Sequence, residues 1–495
     1  MTAVQPAGRL GAIEAHAIDY VPAGERHGDV RGQAPFWFTG NTQFLLVATG
    51  FTGPAMGLAL GWSLLAIAAG ILFGTLFMAF HASQGPGLGL PQMVQSRAQF
   101  GFRGVVVPLF GTLVTFVGYN VVDTLLLRDG LHGMFGWSPL GITAVTAAIG
   151  IVLAVWGYDW VHVIFRALFW IALPLLLALT GAILFGHVAW PLPAVAPGAA
   201  APAALGWSIA AFGAQFATAA AINISWAPCV SDYTRYLPRG TSTRAIVVQV
   251  FVGAAGSGIW LIGLGAWLAV TLGATDALLA LRAAGDAVVP YLGTALVAVT
   301  TAALVATMAV NIYSGALTLV TAADSLTPMP MSVPGSRAAR LLAIAAFSAL
   351  WLAIAAALTA TALDALYAAL TIMLYLLVPW TAVNLVDYFV VRRGAYAVTD
   401  MFRPDGIYGA WNAHGLLAYF AGFAASVPFF VVAGLYTGPL AHRLADVDVA
   451  WLVGLAVSGG VYWLLSRSFD PARERAAIRG SEAQTAMLDA IAPAE

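Results

Sequence analysis

Residues 206–240 read GWSIAAFGAQFATAAAINISWAPCVSDYTRYLPRG. The first half is apolar enough to cross a membrane, and it then runs into Asn223, Ser225, Trp226 and Pro228. Pro228 has no N–H and clashes with the carbonyl four residues back, so a helix loses its regularity there. In lipid, freed backbone groups are tolerated only where they are buried in protein or line a cavity. An interrupted span with an amide, a hydroxyl and an indole at the break points to a transporter binding site. The competing reading is a proline kink beside an interfacial tryptophan, and this stretch alone does not separate the two.

The surrounding chain does. Its 495 residues are 61% hydrophobic and 9% charged, with a mean hydropathy of +0.87, whereas soluble domains carry roughly 25% charged residues. This is the composition of an all-α polytopic membrane protein. A net charge of −1 implies no pull toward nucleic acid. The single cysteine, Cys229, excludes an internal disulfide and a cysteine metal cluster. The first 35 residues are polar and lack the apolar core of a cleavable signal, so the first apolar span is expected to stay in the membrane.

At roughly 20 apolar residues each, about twelve spans are expected. They lie near 36–60, 62–84, 104–127, 140–157, 161–187, 206–231, 244–273, 288–320, 338–361, 364–391, 414–437 and 448–466. Every basic residue is arginine. With the N-terminus inside, only Arg128, Arg282 and Arg443 fall in outer segments. That asymmetry follows the positive-inside rule and predicts two cytoplasmic termini.

Polar residues inside the spans are the candidates for chemistry. The first span contains Gly40, Asn41, Thr42 and Gln43, a second break five spans before the one at 223–228. Corresponding breaks in two halves are the mark of inverted repeats. The predicted core is therefore two five-helix repeats, 36–187 and 206–391. Accessory helices 11 and 12 follow at 392–466, between cytoplasmic tails at 1–35 and 467–495. The third span places Phe116, Tyr119 and Asn120 on one helical face, an arrangement suited to a flat heteroaromatic ligand or to ordinary packing. Asp123, late in the same span, is the one intramembrane carboxylate away from loops and helix ends. Such groups are costly and face the bundle interior or water. The eighth span brings Thr307, Asn311, Ser314 and Gly315 to one face. Asp387, Arg392 and Arg393 read as a helix-end charge cluster, and the C-terminal tail as a short helix or disorder. No HExxH, phosphate loop or ATP-binding pattern occurs, so neither an enzyme nor a primary pump is expected. The scattered histidines argue against a metal site.

Four segments together resemble the nucleobase:cation symporter-1 family, nearer its purine/cytosine permease branch than its hydantoin branch. They are GPGLGLPQMVQSRAQFGFRG after the second span, SDYTRY ending the sixth, NIYSGAL in the eighth, and NLVDYFVVRRG with GIYGAWN after the tenth. The resemblance covers residues 35–465. It implies a five-plus-five inverted-repeat (LeuT-like) core with two accessory helices. It also implies alternating access and uptake of a nucleobase or related heterocycle with Na⁺ or H⁺ across the inner (plasma) membrane. No cofactor beyond the coupling ion is implied. Carried over by position, the hydantoin permease's ligand-contacting glutamine matches Gln43. Its first stacking tryptophan matches Phe116, and the glutamine four residues on matches Asn120. Its second stacking tryptophan falls on Asn223, with Trp226 a short step further. The ligand-contacting asparagine of the eighth span falls on Gly315, and Asn311 matches another asparagine four residues earlier.

Both tryptophans of that sandwich are thus absent at their matched positions, which favours a smaller, more polar base than an aryl-hydantoin. The family's sodium site corresponds to the carbonyls of Thr39 and Thr42 and to Ala306, Ala309 and Val310, so two hydroxyl ligands are lost. A hard cation wants oxygen. Unless Thr307 compensates, proton coupling through a group such as Asp123 is expected over sodium. The resulting expectation is a symporter for a cytosine- or purine-like base. Its ring would lie between Phe116 and Trp226, and Gln43, Asn120, Asn223 and Asn311 would read its edge. The expected partners are this small heterocycle and the lipid bilayer. The rivals are an importer of allantoin, hydantoin or a thiamine- or pyridoxine-like compound, an uncoupled facilitator, a non-transporting sensor, and an amino-acid transporter on the same fold.

Overall fold

The computed structural model describes residues 16–186, 205–327, 333–358, 362–432 and 434–491. The outer parts of the two expected tails, the last residue of the first repeat and the end of the ninth expected span (359–361) lie outside the described residues. Among those described, eight helices are long and apolar enough to cross a membrane. They are Leu60–Leu88, Val106–Phe135, Pro139–Trp156, Tyr158–Leu184, Thr243–Leu272, Leu292–Leu326, Arg337–Ala357 and Asp364–Val391. These take the places of expected spans 2 to 5 and 7 to 10. A ninth is reached if Ala450–Ser466 and Pro471–Ala490, bent by 95°, count as one. Shorter apolar helices, Phe44–Ala55, Ile209–Ile224 and Ala413–Phe429, stand at spans 1, 6 and 11, and Ala450–Ser466 stands at span 12.

Spans 1 and 6 are short because they are interrupted where the polar residues fall. Span 1 runs Gln33–Asn41, turns at Thr42, is extended at Gln43 (φ −132°, ψ 150°) and resumes at Phe44–Thr49. The hydroxyls of Thr39 and Thr42 donate to the carbonyls of Pro35 and Phe38, back-bonding that bends a helix. Span 6 runs Ile209–Ile224 and resumes as Val230–Thr234. Pro228 cannot donate to the Ile224 carbonyl, and the Ala227 N–H takes that carbonyl at 3.0 Å, tightening the turn before the break.

Glycines bring four helices into backbone contact. A Cβ on Gly70 or Gly74 of span 2 would stand 2.3 Å from the carbonyl oxygen of Phe216 or Ala220 in span 6. A Cβ on Gly265 of span 7 would stand 2.0 Å from the Val47 oxygen of span 1. Small residues at such spacing are how membrane helices approach closely without a hydrophobic drive. Spans 1, 2, 6 and 7 therefore form one tight bundle. Spans 3 and 8 pack side by side along it. Span 8, at 35 residues, is roughly 50 Å long and outreaches the ~30 Å hydrocarbon layer.

Residues 20–26, the helix that carries Asp489 and the loop after span 2 gather at one end of the bundle. Tyr20 and the Ala23 N–H bond to Asp489, and Arg26 donates to the Pro86 carbonyl. The glycine- and proline-rich loop after span 2 forms three four-residue helices. Asp387 and Arg392 form the expected charge cluster at the end of span 10, and it is a buried hub. Asp387 accepts from Gln99 at 2.6 Å, Tyr396 at 2.7 Å and Tyr462 at 2.8 Å, and pairs with Arg392. Arg393 alone of the three is exposed. Span 11 stops at Phe429, one residue past Pro428, and the expected remainder forms the hairpin Val431–Val432 with Tyr436–Thr437. An unexpected helix, Ala277–Asp286, lies between spans 7 and 8, capped by Asp276.

Candidate binding cavity between the broken helices

Where the two breaks meet spans 3 and 8 lies a small cavity of about 10 Å³, room for about one water molecule. Ligand pockets run roughly 300–1,000 Å³, so these walls have to part before a heterocycle fits between them. Span 1 contributes Gln43, Leu45 and Leu46, and span 6 contributes Ile222, Ser225 and Trp226. Tyr119 comes from span 3, and Thr307 and Asn311 come from span 8.

The interruption of span 1 is what turns Gln43 inward. Its Nε2 donates back to the Gly40 carbonyl at 2.8 Å, satisfying an acceptor that the helix end leaves open. Its buried Oε1 has no partner among the described residues. Ser225 Oγ lies 2.7 Å from the Ile222 carbonyl and 2.8 Å from Tyr119 Oη. The carbonyl can only accept, so it takes the serine proton and Tyr119 donates to Ser225. Asn311 Nδ2 donates to Asn120 Oδ1 at 3.0 Å, and the buried Asn120 Nδ2 is left without a partner. The cavity is thus bounded by an indole, a phenol and two amides, with unused hydrogen-bonding capacity at Gln43 and at Asn120 behind Asn311.

Of the residues expected at the site, Gln43, Trp226, Asn311 and Thr307 line the cavity. Asn120 stands one bond behind it. Phe116, Asn223 and Gly315 do not line it. Phe116 is buried in the core at 1% exposure, and Tyr119, one turn further along span 3, takes the wall. Asn223 is committed to other protein groups. Its Oδ1 accepts from Asn41, and its Nδ2 donates to Thr75 Oγ1 at 2.7 Å and to the Ala254 carbonyl at 3.2 Å. Gly315 faces Phe347, whose ring would stand 2.4 Å from a Cβ there. The signal for Tyr119 was its shared face with Phe116 and Asn120, whereas transfer by position named Phe116, one turn away on that face.

The expected coupling residues are also placed. Thr39 spends its hydroxyl on the carbonyls of Pro35 and Phe165, and Thr42 on Phe38. Ala306, Ala309 and Val310 are buried and bring no side-chain oxygen. Thr307 Oγ1 lies 3.4 Å from the Gly40 carbonyl. Asp123 is 1% exposed, and neither carboxylate oxygen has a hydrogen-bond partner among the described residues.

Residues 20–454 match the family described as permease for cytosine/purines, uracil, thiamine, allantoin. The chain belongs to this permease family. Another similar protein is the putative purine-cytosine permease YxlA of Bacillus subtilis (strain 168). It is 32% identical over 459 residues, covering 92% of this chain and 96% of that one. The permease also shares the fold of Mhp1, a nucleobase-cation-symport-1 family transporter solved in a closed conformation with bromovinylhydantoin bound. The TM-score is 0.70 at 17% identity, over 95% of this chain and 98% of the other. A Na⁺-coupled sialic acid symporter superposes with a TM-score of 0.62 at 12% identity, over 91% and 92%. Members of the family are permeases, so the protein is a multi-pass membrane transporter and not an enzyme.

Proposed function

We propose that this permease imports a cytosine- or purine-like nucleobase by proton symport. It would work by alternating access in the inner membrane, with both termini cytoplasmic. The observation that carries the substrate reading is the cavity itself. Trp226 and Tyr119 offer aromatic walls for a flat ring, and Gln43 and Asn311, backed by Asn120, offer donor and acceptor groups for its edge. The buried Gln43 Oε1, which has no partner among the described residues, is costly to leave unpaired, and a donor on a ligand edge would satisfy it. The family description and the purine-cytosine permease relative agree with such a ligand. The same description names thiamine and allantoin, so a related heterocycle is the second reading.

Proton coupling rests on two observations. The positions matched to a sodium site are apolar at Ala306, Ala309 and Val310. Asp123 has no partner for either oxygen, and an isolated ionised carboxylate in an apolar interior is far more costly than a neutral one. A carboxyl that carries a proton through one half of the cycle and releases it in the other meets that constraint. The cytoplasmic placement of the termini rests on the arginine asymmetry.

Uptake of labelled cytosine into proteoliposomes tests the reading. Purines, pyrimidines, allantoin, thiamine and amino acids serve as competitors, with and without Na⁺ and a proton gradient. Accumulation blocked by bases, indifferent to Na⁺ and abolished by a protonophore is expected. Uptake that requires Na⁺ overturns the coupling. Competition by allantoin or thiamine but not by bases moves the substrate to the second reading.

A further inference from the structure

Asn41 ends the first helix of span 1, is fully buried, and does not line the cavity. Its side chain nevertheless meets the one polar atom of a residue that does. Trp226 Nε1 donates to Asn41 Oδ1 at 3.2 Å, while Asn41 Nδ2 donates to Asn223 Oδ1 and to the Ala254 carbonyl, each at 2.9 Å. From these contacts we infer that Asn41 is the positioning residue for Trp226, setting the plane of the indole against which a substrate ring lies. The inference rests on the proposed reading of the cavity as a site for a flat heterocycle.

The polarity of this chain of bonds is fixed from its far end. Thr75 Oγ1 donates to the Ile71 carbonyl at 2.6 Å, so its oxygen is left to accept from Asn223 Nδ2. That turns Asn223 Oδ1 toward Asn41, which must present its amide N–H₂ there and to the Ala254 carbonyl. Only Asn41 Oδ1 then remains, and it faces the indole N–H. Reversing the Asn41 amide would oppose oxygen to two acceptors and N–H₂ to a donor. The Ala254 carbonyl sits in the π-helical turn Phe251–Ala255 of span 7, where it accepts from both amides. Orientation is thus passed from span 2 through span 6 to span 1, and back to the ring of span 6.

An indole has a single donor, and here it is committed to Asn41. Rotation of the ring toward the cavity breaks the bond to Asn41. Trp37 closes the other side, edge-on with ring centres 5.6 Å apart. A ligand ring therefore meets a wall whose plane is already set, and this cuts the ordering cost of binding.

The experiment uses the full-length transporter labelled with 5-fluorotryptophan, and cytosine as the transported probe. The fluorine resonance that disappears in W226F identifies Trp226. In the ligand-free protein it is expected to move in N41A, and to a smaller extent in T75V, which cuts the relay at its far end. In transport, N41A and W226F are each expected to raise KM about tenfold with Vmax per folded molecule within twofold. Because both remove the same bond, the double variant is expected to match the worse single variant. A Trp226 resonance unmoved in both N41A and T75V, or KM effects that multiply toward a hundredfold, overturns the assignment. If N41A does not fold, T75V and W226F carry the test. If the wild type transports no heterocycle, the function reading fails and the ligand-free resonance still decides the role of Asn41.

Discussion

Two groups of buried polar residues lie within the same few helices, and they differ in how well they are satisfied. In the bundle of spans 1, 2, 6 and 7, the amides of Asn41 and Asn223, the Thr75 hydroxyl and the Trp226 indole all find protein partners. On the facing wall, Asn120 Nδ2 and both oxygens of Asp123 have none among the described residues. Native interiors rarely leave such groups unpaired. The paired set specifies shape, whereas the unpaired set carries the proposed substrate and proton readings. Gln43 belongs to the bundle but shares the condition of the wall, since its Oε1 faces the cavity unpaired.

The contrast is broken most forcefully by attacking shape on the bundle side. Gly74→Leu drives a side chain into the Ala220 carbonyl, 2.3 Å from the added Cβ, and backbone cannot retreat as a side-chain tip can. Folded, monodisperse protein is expected to be lost, while Gly61→Ala, where nothing lies within 4 Å, is expected to be neutral. Size-exclusion profiles of the two variants check this, and a normal profile for G74L refutes the close packing.

On the wall side, Asp123→Asn is expected to fold normally and to abolish accumulation against a gradient while leaving counterflow exchange intact. Wild-type accumulation by D123N removes Asp123 from coupling. A smaller effect is expected at Asn311→Ala, which removes a cavity amide and strands the Asn120 oxygen. The loss is roughly 1–3 kcal/mol, or about five- to 150-fold in KM, with little change in melting temperature. Phe116→Leu is expected to do the reverse, lowering the melting temperature and sparing KM. Uptake kinetics and thermal melts of this pair show whether Tyr119 or Phe116 faces the substrate.

The smallest expected effect is at the tail. Burial pulls the His16 pKa down, but the carboxylates of Asp19 and Glu25 outweigh it and hold it up at about 9. A pKa raised above its unfolded value of roughly 6.5 stabilises fully below that pH and is lost as pH rises through the folded value. Residues 17–21, of which Ala17, Ile18 and Val21 are fully buried, are therefore expected to stay docked at pH 7 and to loosen above about pH 9. Hydrogen exchange of their amides, corrected for intrinsic rate, reads this out. A His16→Gln variant with the same pH profile removes His16 from the cause.

Much of the fold was legible because lipid makes strong demands on a chain. Helix-length apolar runs, breaks at Asn41–Gln43 and Asn223–Pro228, and the one-sided arginines each follow from backbone satisfaction or charge, and each is local in sequence. The site was legible only to the level of which helices build it. Whether Phe116 or Tyr119 reaches the cavity depends on the rotation of span 3, which neighbouring packing sets. That Asn223 turns away from the cavity depends on a carbonyl bared by the π-helical turn at Phe251–Ala255, and no residue in that turn announces it. The charge cluster at Asp387 was legible, but its burial was not, since its tyrosine partners come from the loop after span 10 and from span 12.

The bonds from Tyr20 and Ala23 to Asp489 carry a consequence for how the molecule is made. Donor and acceptor of the second bond are 466 residues apart in the chain. At ribosomal speeds of ~5–20 residues per second, this one bond waits roughly 25 to 90 seconds before its acceptor exists. Earlier partners are available in that interval, since Arg26 bonds to the Pro86 carbonyl only 60 residues away. The contact with the C-terminal helix is thus among the last to form, on a segment that residues 86–89 can already hold.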